Sequence, residues 1–99
     1  MYVGSLALDL LLGDVHSLKE KRSVIRPIIA EMRRRFSVAA AEAGHLALHR
    51  RALVGVAVVA ADAGHCREVL DACERFVAGR PEVDLLSAHL DLAKQEVDA

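Results

Sequence analysis

The chain has 99 residues, a net charge of −1 and a hydrophobic fraction of 54%, which together fit one globular domain with a substantial core. Its aromatic fraction is only 3%, so that core must be aliphatic, and no apolar run reaches the ~18 residues of a membrane span. The N-terminal segment lacks the basic start and cleavage site of a signal peptide, and we therefore expect a cytoplasmic protein with no membrane partner.

The first strand is predicted over residues 2–12, where leucine occupies every second position from residue 6 to residue 12. The opposite face of this strand is mixed and includes Asp9. The pair Gly13 and Asp14 then indicates a turn.

A helix is predicted to follow, because Ser17 and Glu20 have the spacing of a capping box. Apolar side chains then recur at helical spacing and form one stripe: Leu18, Ile25, Ile28, Ile29, Met32 and Phe36. Pro27 lies opposite that stripe, on the solvent side. A single kinked helix ending at Phe36 is therefore preferred to the alternative, a loop over 18–26 followed by a helix that begins at Pro27.

The second half of the chain repeats this alternation of strands and helix. Residues 37–43 read as a modest edge strand, residues 52–61 as a central strand that is apolar on both faces, and residues 83–92 as the last strand. Between the last two, Asp62 can cap a second helix that ends at Gly79. Its buried stripe is predicted to comprise Cys66, Val69, Leu70, Cys73, Phe76 and Val77.

The order β-α-β-β-α-β predicts an α+β, ferredoxin-like sandwich, with a four-stranded antiparallel sheet and two helices on one face. The predicted sheet order is 4-1-3-2, which places the two most apolar strands in the centre. Residues 1–92 would form this single domain and residues 93–99 a polar C-terminal tail. The helix-free face would carry small apolar side chains. This pattern favours a homodimer that buries the helix-free face or pairs edge strands 2 or 4.

Positive charge is concentrated in residues 16–36, where seven Lys or Arg and two Glu leave about +5 while the rest of the chain sums to about −6. Such asymmetry points to an anionic partner. Lys19, Arg22, Arg26 and Arg33 fall within about 60° on the helical wheel, next to the buried stripe. The alternative interpretation is a solvated helix face whose long side chains cover the edge of the core.

Cations in the first turns of a helix lie at the positive end of its dipole, which is unfavourable unless an anion binds there. Lys21 falls inside the apolar stripe, so its side chain should either reach past the helix end or point along the sheet edge toward a ligand. The predicted anion- or RNA-binding residues are His16, Ser17, Lys19, Lys21, Arg22, Arg26, Arg33 and Arg34.

The combinations of His, Cys and Asp residues that could form a metal or catalytic site give only weak evidence for an enzyme. His45 and His49 have the spacing of a helical metal pair but no third ligand follows from the sequence. The neighbouring His65 and Cys66 do not face each other. Asp9 is a carboxylate on a central strand near Asp14 and His16, and a role as acid or base is conceivable there. We expect no catalytic residue, no metal site and no cofactor.

The string His16-Ser17-Leu18-Lys19-Glu20-Lys21-Arg22-Ser23 resembles the YlxP-like family, a bacterial domain of unknown function numbered 503. Further similarity covers Ala41 to Gly44, Arg50 to Val59 and Val77 to Val83. The resemblance implies a small ferredoxin-like protein. It also implies a link to ribosomes or RNA, because in many bacteria the family's gene lies beside those for translation initiation factor two and ribosome-binding factor A.

Together these observations favour a non-enzymatic accessory protein that binds structured RNA or the ribosome through the basic helix. Two alternatives stay open. One is an oligomeric protein–protein interaction module whose basic helix meets an acidic surface. The other is a phosphate- or small-molecule-binding protein, or an enzyme, with its site at the start of that helix. With few aromatic side chains on the strands, RNA binding would have to rely on phosphate contacts.

Overall fold

The computed structural model describes residues 1–97 of the chain. It contains six elements: β1 (Tyr2–Leu12), α1 (Leu18–Phe36), β2 (Ala39–Gly44), β3 (Arg51–Ala60), α2 (Ala63–Ala78) and β4 (Val83–Lys94). The order β-α-β-β-α-β and the ferredoxin-like arrangement are therefore confirmed.

The four strands form one antiparallel sheet in the order β2-β3-β1-β4, as the sequence predicted. In the centre, Leu6 of β1 pairs with Val56 of β3 on one side and with Leu90 of β4 on the other. A register shift after Asp9 marks a bulge in the β1–β4 pair, and a second bulge follows Glu42 in the β2–β3 pair. Both helices cover the same face of the sheet.

The core lies between that face and the helices and is almost entirely aliphatic, as the composition requires. β1 contributes its alternating leucines, all of them at most 1% exposed. The predicted helical stripes are buried along their centres, while Leu18, Phe36, Val69 and Phe76 lie half-buried at the rims. Gly4 permits the close approach of β1 and α2, since a Cβ there would lie 2.8 Å from Leu70 Cδ1.

Helix α1 is continuous from Leu18 to Phe36 and contains Pro27 on its exposed side, so the prediction of one helix is confirmed. Ser37 ends it with a left-handed backbone, at φ 54°. Helix α2 begins after Asp62, whose side chain accepts the His65 N–H. Each helix begins at the cap that the sequence indicated.

The last strand is longer than predicted, because β4 continues to Lys94 instead of ending at residue 92. Hydrogen bonds between Met1 and Gln95 extend the β1–β4 pair by one further residue. Residues 98–99 of the predicted polar tail lie outside the described residues. No helix among residues 1–97 has the length and apolar character needed to cross a membrane.

Candidate anion-binding surface on helix α1

The first turn of α1 is closed by the predicted capping box. The Glu20 N–H donates to Ser17 Oγ at 3.1 Å, and the His16 N–H donates to Glu20 Oε2 at 2.9 Å. The His16 imidazole lies 2.7 Å from the Asp14 carboxylate. Two amide groups that an anion could have used are therefore occupied, and a carboxylate already lies at the positive end of the helix dipole.

The flank of α1 is the exposed cationic surface of the helix. Lys19, Arg22 and Arg26 are all exposed, and none of them forms an ion pair with a carboxylate anywhere in residues 1–97. Their spacing of three and four residues places them on one face of the helix. We call these three residues the basic flank.

The basic flank borders two open concavities. The larger, about 450 Å³, lies between α1 and the edge strand β2. Its lining comprises Arg22, Ile25, Arg26, Ile29, Ala30, Arg33, Ala41 and Glu42. The smaller, about 400 Å³, lies along the first half of α1 and is lined by Lys19, Arg22, Ser23, Arg26 and Pro27. Arg22 and Arg26 line both concavities and are therefore the two guanidinium groups shared between them.

Lys21 is directed toward the sheet edge, as in the second orientation considered from the sequence, but its ammonium contacts groups of the protein itself. Its side chain is 1% exposed, with Nζ 2.6 Å from Glu42 Oε2 and donating to the His45 carbonyl at 2.7 Å. The ammonium therefore ties α1 to β2 and to the turn that follows it. A buried ammonium requires such a partner, because an unpaired charge in the core is costly.

Arg33 also forms hydrogen bonds within the domain. Its Nε and Nη2 both donate to the Ala40 carbonyl of β2, at 2.9 and 2.6 Å. Of its neighbours, Arg34 is 76% exposed and lies 3.9 Å from Glu31. Arg35 covers the rings of Phe36 and Phe76, with Cζ 5.3 and 5.7 Å from their centroids. Arg34 thus continues the exposed cationic surface, whereas Arg33 and Arg35 have contacts within the domain.

The sequence did not reveal a second cluster of charges, which lies on the helix-free face. There Arg51 of β3 donates to both oxygens of Asp9 on β1, at 3.2 and 2.6 Å, and His45 Nε2 lies 3.4 Å from Asp9 Oδ1. The Arg51 hydrogen bonds hold the pKa of Asp9 below its ordinary value. The alternation of β1 and β3 could have suggested this pair, since Asp9 and Arg51 face the same side of neighbouring strands.

The two cysteines, Cys66 and Cys73, are buried and do not form a disulfide with each other. Burial raises the pKa of the Cys73 thiol to about 11, so the nucleophilic thiolate is suppressed near neutral pH. Among residues 1–97, no group of three or more His, Cys, Asp or Glu side chains could hold a metal ion.

Comparison with known proteins agrees with the resemblance noted above. A family model described as "Protein of unknown function (DUF503)" matches residues 3–90. The chain is also similar to the "Uncharacterized protein YlxP" of Bacillus subtilis (strain 168), with 27% identity over 82 residues that cover 83% of this chain and 89% of the relative. Because the family match spans nearly the whole sheet and both helices, the chain belongs to the DUF503 family.

Proposed function

We propose that the protein binds the phosphate backbone of structured RNA through the basic flank and the groove between α1 and β2. The observation that carries this proposal is the set of three exposed cations on one helix face, Lys19, Arg22 and Arg26, without a carboxylate partner in residues 1–97. Arginine and lysine side chains that face solvent in this way neutralise phosphates and release their counterions.

The expected mode of binding is weakly specific for sequence. Base readers of single-stranded RNA stack bases on aromatic side chains. Here Phe36 and Phe76 pack against each other, with centroids 5.8 Å apart, and Arg35 covers both rings. The cations from Lys19 to Arg34 extend over about 22 Å of helix at ~1.5 Å per residue, a length that can follow several phosphates.

The test is a fluorescence-anisotropy titration of a structured RNA at several salt concentrations. The double variant Arg22→Ala, Arg26→Ala should weaken binding and reduce the slope of log affinity against log salt by up to about two units, because two phosphate contacts are lost. Arg33 is left intact in this variant, since its guanidinium is bonded to Ala40.

The matched control is Arg67→Ala, Arg75→Ala, which removes the same charge from exposed positions of α2. Equal losses in the two double variants would mean that net charge alone governs binding, and the proposed surface would be wrong. Absence of RNA affinity in the wild type at low salt would also reject it. Poly-glutamate is added as a competitor, and displacement of RNA at equal charge would assign the surface to an acidic protein instead.

A further inference from the structure

The outer edge of β4 has a backbone hydrogen-bonding pattern that follows from the end of the β1–β4 pair. The N-terminal ammonium of Met1 donates to the Gln95 carbonyl at 3.3 Å, and the Gln95 N–H donates to the Met1 carbonyl at 2.8 Å. Since hydrogen-bonded pairs alternate along an antiparallel ladder, the odd-numbered residues of β4 from 87 to 93, like Gln95 after them, turn their polar backbone groups toward β1. Ala88, Leu90 and Leu92 therefore turn their N–H and C=O groups away from the sheet.

These outward groups are unpaired within the part of the chain that the structure describes. β4 lies at the end of the sheet, and no hydrogen bond to residues 1–97 satisfies the outward groups of Ala88, Leu90 or Leu92. Exposed edges of this kind are templates for pairing with another strand.

The opposite edge of the sheet is protected. β2 has only six residues and a bulge near its end. The Ala40 carbonyl accepts both bonds from Arg33, which lies across that edge. Short strands, bulges and covering side chains are the usual means by which proteins block unwanted strand pairing. Such protection is present at β2. The twelve-residue strand β4 also has a bulge, at Leu86, but its regular stretch from Ser87 to Ala93 lies beyond that bulge and is open.

We propose that β4 pairs with β4 of a second copy of this chain, in antiparallel orientation, to form a continuous eight-stranded sheet. The outward groups allow three central registers. They place Leu90 on the two-fold axis, or shift the pairing so that either His89 or Asp91 lies there. Like residues meet at the axis in each case, so the neighbours given to His89 and Asp91 distinguish the registers.

Side-chain complementarity favours the register with Leu90 on the axis, because it places an imidazole donor opposite a carboxylate acceptor. His89 then lies opposite Asp91 of the partner subunit, and this contact occurs twice. Both residues occupy non-hydrogen-bonded positions relative to the partner strand, where side chains come closest, at a Cα separation of about 4.5 Å. With Asp91 on the axis, two carboxylates would face each other. His89 and Asp91 are exposed on the helix-free face, where their β1 neighbours are Ala7 and Ser5.

The other face of β4 adds an apolar contact to this pairing. Leu90 and Leu92 point toward the helix side but remain half-buried, because β4 is the outermost strand. In the proposed dimer the two Leu90 side chains are neighbours and Leu92 lies beside the partner's Ala88. A two-fold axis perpendicular to the sheet keeps all four helices on one face, and the two basic flanks then lie toward its far ends.

The first experiment measures molecular mass by sedimentation at micromolar concentration. The wild type should have twice the 10.7 kDa of one chain. Ala88→Pro should be monomeric, because proline removes an outward N–H and its ring blocks the partner strand while the β1–β4 ladder keeps its bonds. Ala88→Thr retains the N–H at the same exposed position and should stay dimeric. Circular dichroism of each variant establishes that it is folded.

The second experiment tests the register with side chains alone. His89→Asp places carboxylates opposite Asp91 of the partner subunit and should weaken association at least about tenfold. Adding Asp91→His restores opposite partners and should recover the dimer. A monomeric wild type, a monomeric Ala88→Thr, or a dimer that survives both Ala88→Pro and His89→Asp would overturn the proposal. Failure of Asp91→His to rescue would overturn the register.

Discussion

The Lys21 ammonium lies 2.6 Å from the Glu42 carboxylate, beneath α1 and against the edge strand β2. Lys21 is 1% exposed, whereas the Glu42 side chain is 19% exposed, so the pair is buried mainly on the lysine side. Glu42 Oε2 is itself buried and accepts no hydrogen bond of regular geometry within residues 1–97, so the Lys21 charge is its partner. One of the seven cations in the basic segment is therefore used inside the fold and is not available to a ligand.

The first prediction is that breaking this pair destabilises the protein more than breaking a surface pair. Glu42→Leu should lower the free energy of unfolding by about 3 kcal/mol, because it leaves the buried ammonium with the His45 carbonyl as its remaining partner. The double variant Lys21→Met, Glu42→Leu should recover part of that loss, since no unpaired charge is left behind. Urea denaturation followed by circular dichroism measures both.

The control is the exposed pair formed by Arg80 and Glu82, whose Nη2 and Oε2 atoms are 2.9 Å apart. Glu82→Leu should cost less than about 1 kcal/mol, as surface ion pairs generally do. Two outcomes would show that burial does not couple the Lys21–Glu42 pair. One is a similar loss of unfolding free energy in Glu42→Leu and Glu82→Leu. The other is a double variant whose loss equals the sum of the losses in Lys21→Met and Glu42→Leu measured singly.

Local and topological features were predictable from the sequence because they depend on spacing alone. The capping box at Ser17 and Glu20, the continuity of α1 through Pro27 and the sheet order all follow from periodicity and the handedness of the crossovers. The exposed positions of Lys19, Arg22 and Arg26 also follow, since a helical wheel places them beside the apolar stripe.

The partners of the other cations could not be predicted, because they lie on a different element. Periodicity placed Lys21 in the apolar stripe, but Glu42 becomes its neighbour only once α1 crosses β2. Arg33 belongs to the same helical face as Arg22, yet the Ala40 carbonyl that it binds is free because β2 lies at the sheet edge. The sequence predicts an end of β4 two residues too early for a related reason. Pairing with β1 keeps residues 93–94 in the strand, although their hydrophobic alternation is weak.

The second prediction concerns Arg33 as a protector of the β2 edge. Arg33→Ala should lower the free energy of unfolding by about 1 kcal/mol, because the part-buried Ala40 carbonyl loses both of the bonds it accepts from the guanidinium. Hydrogen exchange in β2 should become faster as the edge loosens. The stability of Arg33→Lys should lie between those of the wild type and Arg33→Ala, since one ammonium cannot reproduce the planar pair of donors.

Arg34→Ala is the matched control for Arg33, because it removes the same side chain from the next position, where it is 76% exposed. Its effect on unfolding should stay within about 0.5 kcal/mol. Equal stability and equal exchange in Arg33→Ala and Arg34→Ala would contradict a role for Arg33 at the edge and would return it to the set of free surface cations.

The third prediction is that the Asp9–Arg51 pair stabilises the fold in a pH-dependent way. The two hydrogen bonds from Arg51 lower the pKa of Asp9 in the folded protein, so folding favours the ionised carboxylate. The resulting stabilisation is complete above the ordinary aspartate pKa of about 3.9 and is lost as the pH falls through the lower, folded value. Asp9→Asn keeps an acceptor for Arg51 but cannot ionise. The wild type should therefore be more stable than Asp9→Asn at pH 6, and the difference should shrink steadily below about pH 4 until the two proteins converge. Urea unfolding at intervals from pH 6 to pH 2.5 measures this difference.

Asp84→Asn is the control, since Asp84 is exposed on β4 and has no ion pair within residues 1–97. A difference at Asp9 that stays constant across this range, or that Asp84→Asn reproduces, would show that Arg51 does not stabilise the ionised form of Asp9.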